Sequence, residues 1–328
     1  MVAAGSATRR PWKRWVPLLV AGVLGLLAVV SHTPDLPREM LEQKYGGPES
    51  KFLLLPTGAR VHYRDRGSPD APVVVLLHGS NASLHTWEPW VKILSGRFRV
   101  VTLDLQGHGL TGPVPGDDYS LGGMVAFLDE FRRRLGLDHF ALVGNSMGGS
   151  VSWRFALAHP DVVTALVLID SGGVDHLLSP EHAPVRPIGF RIMRVPGLNR
   201  IAEFATPRRV IEKSLLGTLH DPRQVTPEMV DRYYELLLYP GNRRATRIRN
   251  GTSPDEGAVD RLTELHVPTL ILWGAEDKLR NPEAARIFQS RVKGAKVIVY
   301  PDVGHVPMEE IPERSAADTL GFLEAVAG

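Results

Sequence analysis

Phe140-Ala141-Leu142-Val143-Gly144-Asn145-Ser146-Met147-Gly148-Gly149 is the stretch on which the reading of this chain turns. An apolar run ends at Gly144, one polar residue follows, then Ser146, then Gly148. The spacing G-x-S-x-G at the change from apolar run to helix predicts a tight strand-to-helix corner. Such a corner needs glycine two positions either side of the serine, because a Cβ there would meet the neighbouring strand or helix. It lifts Ser146 Oγ out of the sheet and aims the N-terminus of the following helix at the same point. Alone the pattern is weak. Glycine makes up 32 of 328 residues, so a chance match in such a chain has a probability of roughly 0.2. The flanking segments decide.

Upstream, Lys51–Leu55 and Ala59–Arg66 read as strands around a Thr57-Gly58 turn. Pro72–Leu77 is a continuous apolar run, the pattern of a strand buried on both faces of a parallel sheet. It ends in His78-Gly79-Ser80-Asn81. Leu84–Leu94 carries apolar residues at helical spacing, and Phe98–Leu103 is the next strand. His108, in the glycine-rich turn that follows, reads as a packing residue. Leu121–Leu135 is an amphipathic helix. After the corner come the helix Met147–Ala158 and the buried strand Val162–Ile169, which ends in Asp170. Strands and helices alternating at this spacing predict a parallel sheet with helices on both faces. Reactive groups in such sheets gather at the carboxyl ends of the strands.

From 176 to 262 the strand rhythm disappears. The segment is mildly basic and carries helical patterns, notably Met229–Leu238. The apolar face Val230, Tyr233, Tyr234, Leu237 and Leu238 either packs on the domain beneath or lines an acyl pocket, with Tyr234 taken as a substrate-binding candidate. The sheet resumes with Thr269–Trp273, followed by Asp277, and Ala295–Tyr300, followed by Gly304-His305. A last helix runs from about Pro312 to Val326.

Composition narrows the function. The net charge of +2 implies no nucleic-acid partner. The absence of cysteine excludes disulfides, thiol catalysis and thiolate metal sites. The histidines are dispersed, and no glycine-rich stretch is followed by Lys-Ser/Thr, so no metal or nucleotide cofactor is expected. At the N-terminus, Arg9, Arg10, Lys13 and Arg14 precede an uncharged run from Trp15 to Ser31. Residues 1–31 read as a single-pass membrane anchor, N-terminus cytoplasmic and catalytic domain extracytoplasmic. A cleaved signal leading to a secreted or periplasmic protein and a buried helix are the alternatives. Residues 32–48, with Pro34, Pro37, Gly46 and Gly47, read as a tether.

A serine hydroxyl is a poor nucleophile at neutral pH and needs a base within hydrogen-bond reach. His305 suits that role, since an imidazole can take the proton and return it to a leaving group. Asp277 suits the far ring nitrogen, with Asp170 the competing acid. Backbone N–H groups of Ser80, with Asn81 as second choice, and of Met147 would stabilise an oxyanion.

From Lys51 onward the chain resembles the serine α/β-hydrolases. The corner Gly144–Gly149, the His78-Gly79 loop, Gly274-Ala275-Glu276-Asp277 and Gly304-His305 carry the resemblance. It implies an eight-stranded, mostly parallel sheet made by 49–175 and 263–328, with 176–262 as a helical cap after the sixth strand. It also implies the chain order Ser146, Asp277, His305 for a catalytic triad. Asn-Ser-Met-Gly-Gly is similar to the carbon–carbon hydrolases of aromatic ring-fission products. This chain departs from them at Gly79-Ser80-Asn81-Ala82, where theirs is glycine-proline rich, and at Val306, where they often carry Trp. Dehalogenases and epoxide hydrolases of this fold use an Asp nucleophile, and Ser146 argues against both. An anchored domain with a lid resembles membrane-tethered monoacylglycerol lipases in layout. The expected activity is hydrolysis of carboxylic esters of acyl or lipid-like substrates, with Asn81 and Val306 beside the substrate. Another acyl or carbon–carbon hydrolase, and a binding protein on the same fold, are the alternatives.

Overall fold

A computed structural model describes residues 32–179, 195, 197–252 and 257–327. Eight strands form one sheet: β1 (Lys51–Leu54), β2 (Arg60–Arg66), β3 (Val73–Leu77), β4 (Arg99–Leu103), β5 (Phe140–Asn145), β6 (Val163–Ile169), β7 (Thr269–Gly274) and β8 (Lys296–Tyr300). Their order is β1-β2-β4-β3-β5-β6-β7-β8. β2 alone runs against the others, pairing antiparallel with β1 on one side and β4 on the other, and from β4 to β8 all neighbours are parallel. The expected mostly parallel, eight-stranded α/β-hydrolase sheet is the one observed.

The side-chain period of two explains why the middle strands are apolar throughout. On β3, Val75 and Leu77 enter one core with Phe127, Phe131, Trp153 and Phe288. Val74 and Leu76 point the other way, into a second core with Trp87, Trp90 and Leu323. Both faces are covered, so no position of β3 beyond its first is polar or exposed. Among the described residues, four helices, Leu198–Phe204, Arg208–Leu216, Pro227–Leu237 and Asn242–Asn250, and three 3₁₀ segments, Asp175–Leu177, Pro222–Gln224 and Gly257–Glu264, lie between β6 and β7. Helix Pro227–Leu237 starts where its sequence says it must. Thr226 Oγ1 accepts from Met229 N at 3.2 Å, and Pro227 occupies the first turn, where its missing N–H is no loss.

Three expectations are corrected. Leu84–Leu94 is not one helix but a 3₁₀ turn, Leu84–Trp87, leading into Glu88–Leu94, with Pro89 in the first turn of the latter. Residues 32–48 are not a free tether. They contain a helix, Arg38–Tyr45, and Leu36, Leu41 and Tyr45 pack with Leu110, Leu236 and Tyr239. Leu36 N donates to Leu238 O at 2.9 Å, and Lys44 and Tyr45 both bind Glu235. Apolar burial and ion pairing outweigh the entropy a loose linker would keep. Finally, the single-pass membrane placement is set aside. No helix among the described residues is long and apolar enough to cross a membrane. The proposed anchor, 1–31, lies outside the described residues, and its uncharged run falls short of the ~20 residues a spanning helix needs.

Candidate active site

β5 runs through the centre of the sheet, paired to β3 on one side and β6 on the other. The chain leaves it at Asn145 and enters helix Met147–Ala158 at once. Ser146 makes the corner at φ 52°, ψ −110°, a conformation that costs a non-glycine residue energy and marks a constrained position. The glycines around it are needed for contact, not for flexibility. A Cβ on Gly148 would fall on the carbonyl oxygen of Leu77, and one on Gly144 would strike Gly148 itself. Ser146 N donates to Ile169 O at 2.9 Å, which ties the corner to β6.

The loop after β3 approaches from the other side. A Cβ on Gly79 would lie 2.7 Å from Asn145 Oδ1 and 3.2 Å from Ser146 Cβ, so only glycine lets this loop come so close. Ser80 Oγ reaches Met147 Sδ at 3.4 Å. Neither Ser80 N nor Met147 N has a protein acceptor among the described residues. Two free N–H groups thus stand at the mouth of the corner. His78 is fully buried, its Nε2 accepting from Leu105 N at 3.0 Å and its Nδ1 donating to Gly79 O at 2.8 Å. Burial holds its imidazole below its ordinary value, which keeps it the neutral brace of this loop. His108 stays out of the cavity that Ser146 lines, with Nδ1 on Gln106 O and Nε2 facing Arg249, as a packing residue should.

His305 follows β8. Its Nδ1 donates to Asp277 Oδ2 at 2.7 Å. Asp277 Oδ1 accepts from Leu279 N at 2.7 Å and Arg280 N at 3.0 Å, so the carboxylate is fixed by the backbone of its own turn. Of the two acids weighed from the sequence, Asp277 therefore holds the imidazole. Asp170 lies beside the pair, fully buried, with Oδ1 accepting from Gly274 N at 3.0 Å and Oδ2 without a partner. Burial first, then the Asp277 carboxylate, pushes the Asp170 carboxyl well above the usual range. Atoms of Asp170, Asp277 and His305 lie within 4.8 Å of one another, the one group of metal-capable side chains found among the described residues. The 2.7 Å contact within it is a hydrogen bond, and the cluster reads as a polar relay.

Ser146 and His305 line one cavity of about 380 Å³, together with Gly79, Ser80, Asn81 and Val306. Ser146 is buried yet lines this cavity, so a substrate held there meets the corner. The far wall comes from the helices between β6 and β7, through Ala202, Val210, Ile211, Leu215 and Leu237. Tyr234, singled out from the sequence, is not a lining residue; Tyr233 is. One residue turns a helix by 100°, enough to exchange the two. Asn81 sits at φ 59°, and its Oδ1 accepts from Arg249 Nη2 at 3.0 Å.

Two residues escaped the sequence reading. Glu310 is buried, and its carboxylate accepts from Gly304 N, Val306 N and His220 N at 3.0, 3.2 and 2.7 Å. It pins both flanks of His305, whose own N–H donates to Thr218 O at 2.9 Å. Asn145 Nδ2 donates to His305 O at 3.1 Å and to Ile169 O at 3.3 Å. An acid five residues past a histidine gives no sequence signal. The polar residue inside the corner does give one, being the only polar side chain on β5.

Residues 72–312 match the alpha/beta hydrolase fold family. The chain belongs to it. Among relatives of this hydrolase is the monoacylglycerol lipase abhd6-A of Xenopus laevis, 27% identical over 283 residues, 80% of this chain and 79% of that protein. The 2-hydroxy-6-oxo-6-(2'-aminophenyl)hexa-2,4-dienoic acid hydrolase of Metapseudomonas resinovorans is 26% identical over 286 residues, 85% of this chain and 88% of that one. A solved structure described as a membrane phospholipase A, a bacterial virulence factor, superposes with a TM-score of 0.70 at 25% identity, covering 97% of this chain and 99% of its own.

Proposed function

We propose that this α/β-hydrolase cleaves carboxylic esters of acyl or lipid-like substrates through an acyl-enzyme on Ser146. The observation that carries the reading is the Asp277–His305 hydrogen bond of 2.7 Å beside an apolar-walled cavity that Ser146 shares. Ser146 Oγ attacks the ester carbonyl carbon while its proton passes to His305 Nε2. The carbonyl oxygen, now negative, takes the free N–H groups of Ser80 and Met147. Asp277 holds Nδ1–H, fixes the tautomer and stabilises the imidazolium. His305 then gives the proton to the departing alcohol. Water, deprotonated by the same imidazole, releases the acid and restores the serine.

The helices Leu198–Phe204, Arg208–Leu216, Pro227–Leu237 and Asn242–Asn250 act as a cap over the acyl chain. Their apolar residues at the cavity wall support an acyl rather than a sugar or phosphate substrate. The monoacylglycerol lipase relative supports the same class. A second reading, carbon–carbon hydrolysis, is favoured by the dienoic acid hydrolase relative. Against it stand Val306 and the proline-free loop 79–82. Turnover of p-nitrophenyl esters of increasing chain length, set against a ring-fission dienoate, separates the two. Ester hydrolysis with negligible dienoate cleavage supports the first reading, and the reverse overturns it.

A further inference from the structure

We propose that Asp170 is a positioning residue of the triad: a neutral carboxylic acid that donates a hydrogen bond to Asp277 and so fixes the carboxylate that holds His305. The inference rests on the reading of Ser146, His305 and Asp277 just given.

Asp170 directly follows β6, with no exposed surface and with φ at 44°, in the left-handed region. A buried non-glycine residue held there is retained against a local cost. Two bonds to β7 hold it, Asp170 N to Leu272 O at 3.0 Å and Gly274 N to its Oδ1 at 3.0 Å. They fix the carboxyl plane and leave Oδ2 buried with no donor facing it. Beside this carboxyl is the Asp277–His305 pair: one Asp170 oxygen lies within 4.8 Å of an atom of each, and the Asp277 side chain is its hydrogen-bonding neighbour.

Hydrogen-bond accounting decides the protonation. Asp277 already takes three donors: Leu279 N and Arg280 N on Oδ1, and His305 Nδ1 on Oδ2. That is the pattern of an ionised carboxylate, which accepts about four bonds and so has one site left. Asp170 has one donor for two oxygens. Ionised, it would be a second buried negative charge against Asp277, with one oxygen unsatisfied. The groups that face it bring no relief. Asp277 after β7 and Glu310 after β8 are acids, Tyr300 is a phenol, and His305 is committed to Asp277. A proton on Oδ2 removes the like charge and turns the orphaned oxygen into a donor for the open site on Asp277. The upward push on the Asp170 carboxyl from burial, and then from Asp277, agrees with this. No bond at Asp170 forms or breaks in the cycle. Its proton stays in place, and its O–H shares the charge Asp277 carries while His305 is an imidazolium.

The test compares Asp170→Asn with Asp170→Ala in the full chain. Asparagine tolerates the left-handed backbone, and it can still accept from Gly274 N and donate to Asp277. We expect Asp170→Asn to recover most of the turnover of a p-nitrophenyl ester that Asp170→Ala loses. Asp170→Ala should lose roughly 10- to 100-fold in kcat at unchanged KM, the size of one hydrogen bond to a charged group. Its acid limb of kcat/KM should move to higher pH, because Asp277 without its donor holds the imidazolium more tightly. The infrared difference between wild type and Asp170→Asn at neutral pH should contain a carboxylic-acid C=O absorption, which is read even if the alanine variant fails to fold. Three results overturn the proposal: Asp170→Asn as impaired as Asp277→Asn, an alanine variant with wild-type kcat and pH profile, or no carboxylic-acid absorption. A wild-type enzyme whose Ser146 takes no fluorophosphonate would instead remove the triad itself, which separates that failure from this one.

Discussion

Asn145 Nδ2 sits 3.1 Å from the backbone carbonyl of His305. The residue before the candidate nucleophile thus grips the loop that carries the candidate base, across 160 residues of chain. The same amide reaches Ile169 O on the neighbouring strand. The spacing of Ser146 and His305 is therefore set by a side chain that reacts with nothing. Asn145→Ala leaves the buried His305 carbonyl without its donor, while Ile169 O keeps Ser146 N, at about 1–3 kcal/mol of stability. We predict a lower melting temperature and a kcat lowered roughly 10-fold at unchanged KM. Steady-state kinetics with thermal unfolding check this, and an unchanged kcat would contradict it.

Glu310 serves the other side of the same loop. Its carboxylate receives the N–H groups of Gly304 and Val306, either side of His305, and of His220. Glu310→Ala strands three backbone donors and is expected to cost at least about 2 kcal/mol. Turnover should fall with stability, and Glu310→Gln, which keeps an acceptor, should recover part of both. Urea unfolding and ester hydrolysis on the two variants test the ordering.

The cavity wall makes a specificity prediction. Ile211 lines the cavity opposite Ser146's side of the fold, on a helix that follows β6. Ile211→Trp shortens the space available to an acyl chain. Each methylene denied burial is worth about 0.8 kcal/mol. Long-chain p-nitrophenyl esters should therefore lose kcat/KM steeply while the acetate ester is nearly unaffected. A uniform loss across chain lengths would show that the acyl group lies elsewhere.

Stability should fall on mild acidification. Burial holds the imidazoles of His78 and His108 below their ordinary value and His85 at about 4. In the unfolded chain each takes up a proton near pH ~6.5. Between that value and the folded one the unfolded state binds more protons at these three rings, so their contribution is complete above about pH 6.5 and is lost as pH falls toward 4, with Asp170, raised by burial, opposing them by a single proton. Each such group contributes up to about 1.4 kcal/mol per pH unit in that window. Urea midpoints measured between about pH 7 and 4.5 should drop steadily. A flat profile would mean that these rings are already charged in the fold.

The sheet could be read from the sequence because a strand buried on both faces has no choice of residue. The runs at 73–77, 140–143, 165–169 and 270–273 are apolar for that reason. The corner at Ser146 was equally plain, since its two glycines answer to direct backbone contact. Other features depend on partners far away in the chain. Leu36, Leu41 and Tyr45 look like stray apolar residues in a proline-flanked linker until Leu236 and Tyr239 cover them. Tyr233 and Tyr234 are adjacent on one helix, and only the register of that helix against the sheet says which meets the cavity. Glu310 resembles any surface acid until its three backbone donors are seen. Residues 1–31 carry a plain sequence signal and lie outside the described residues.

The most direct test is labelling with a fluorophosphonate, followed by digestion and mass spectrometry of the adduct. The account predicts a single adduct on Ser146, its loss in Ser146→Ala, and slow labelling in His305→Ala. Turnover of Ser146→Ala should drop roughly 10⁴-fold or more. An adduct on another residue, or a Ser146→Ala variant that labels and hydrolyses esters like the wild type, would contradict it.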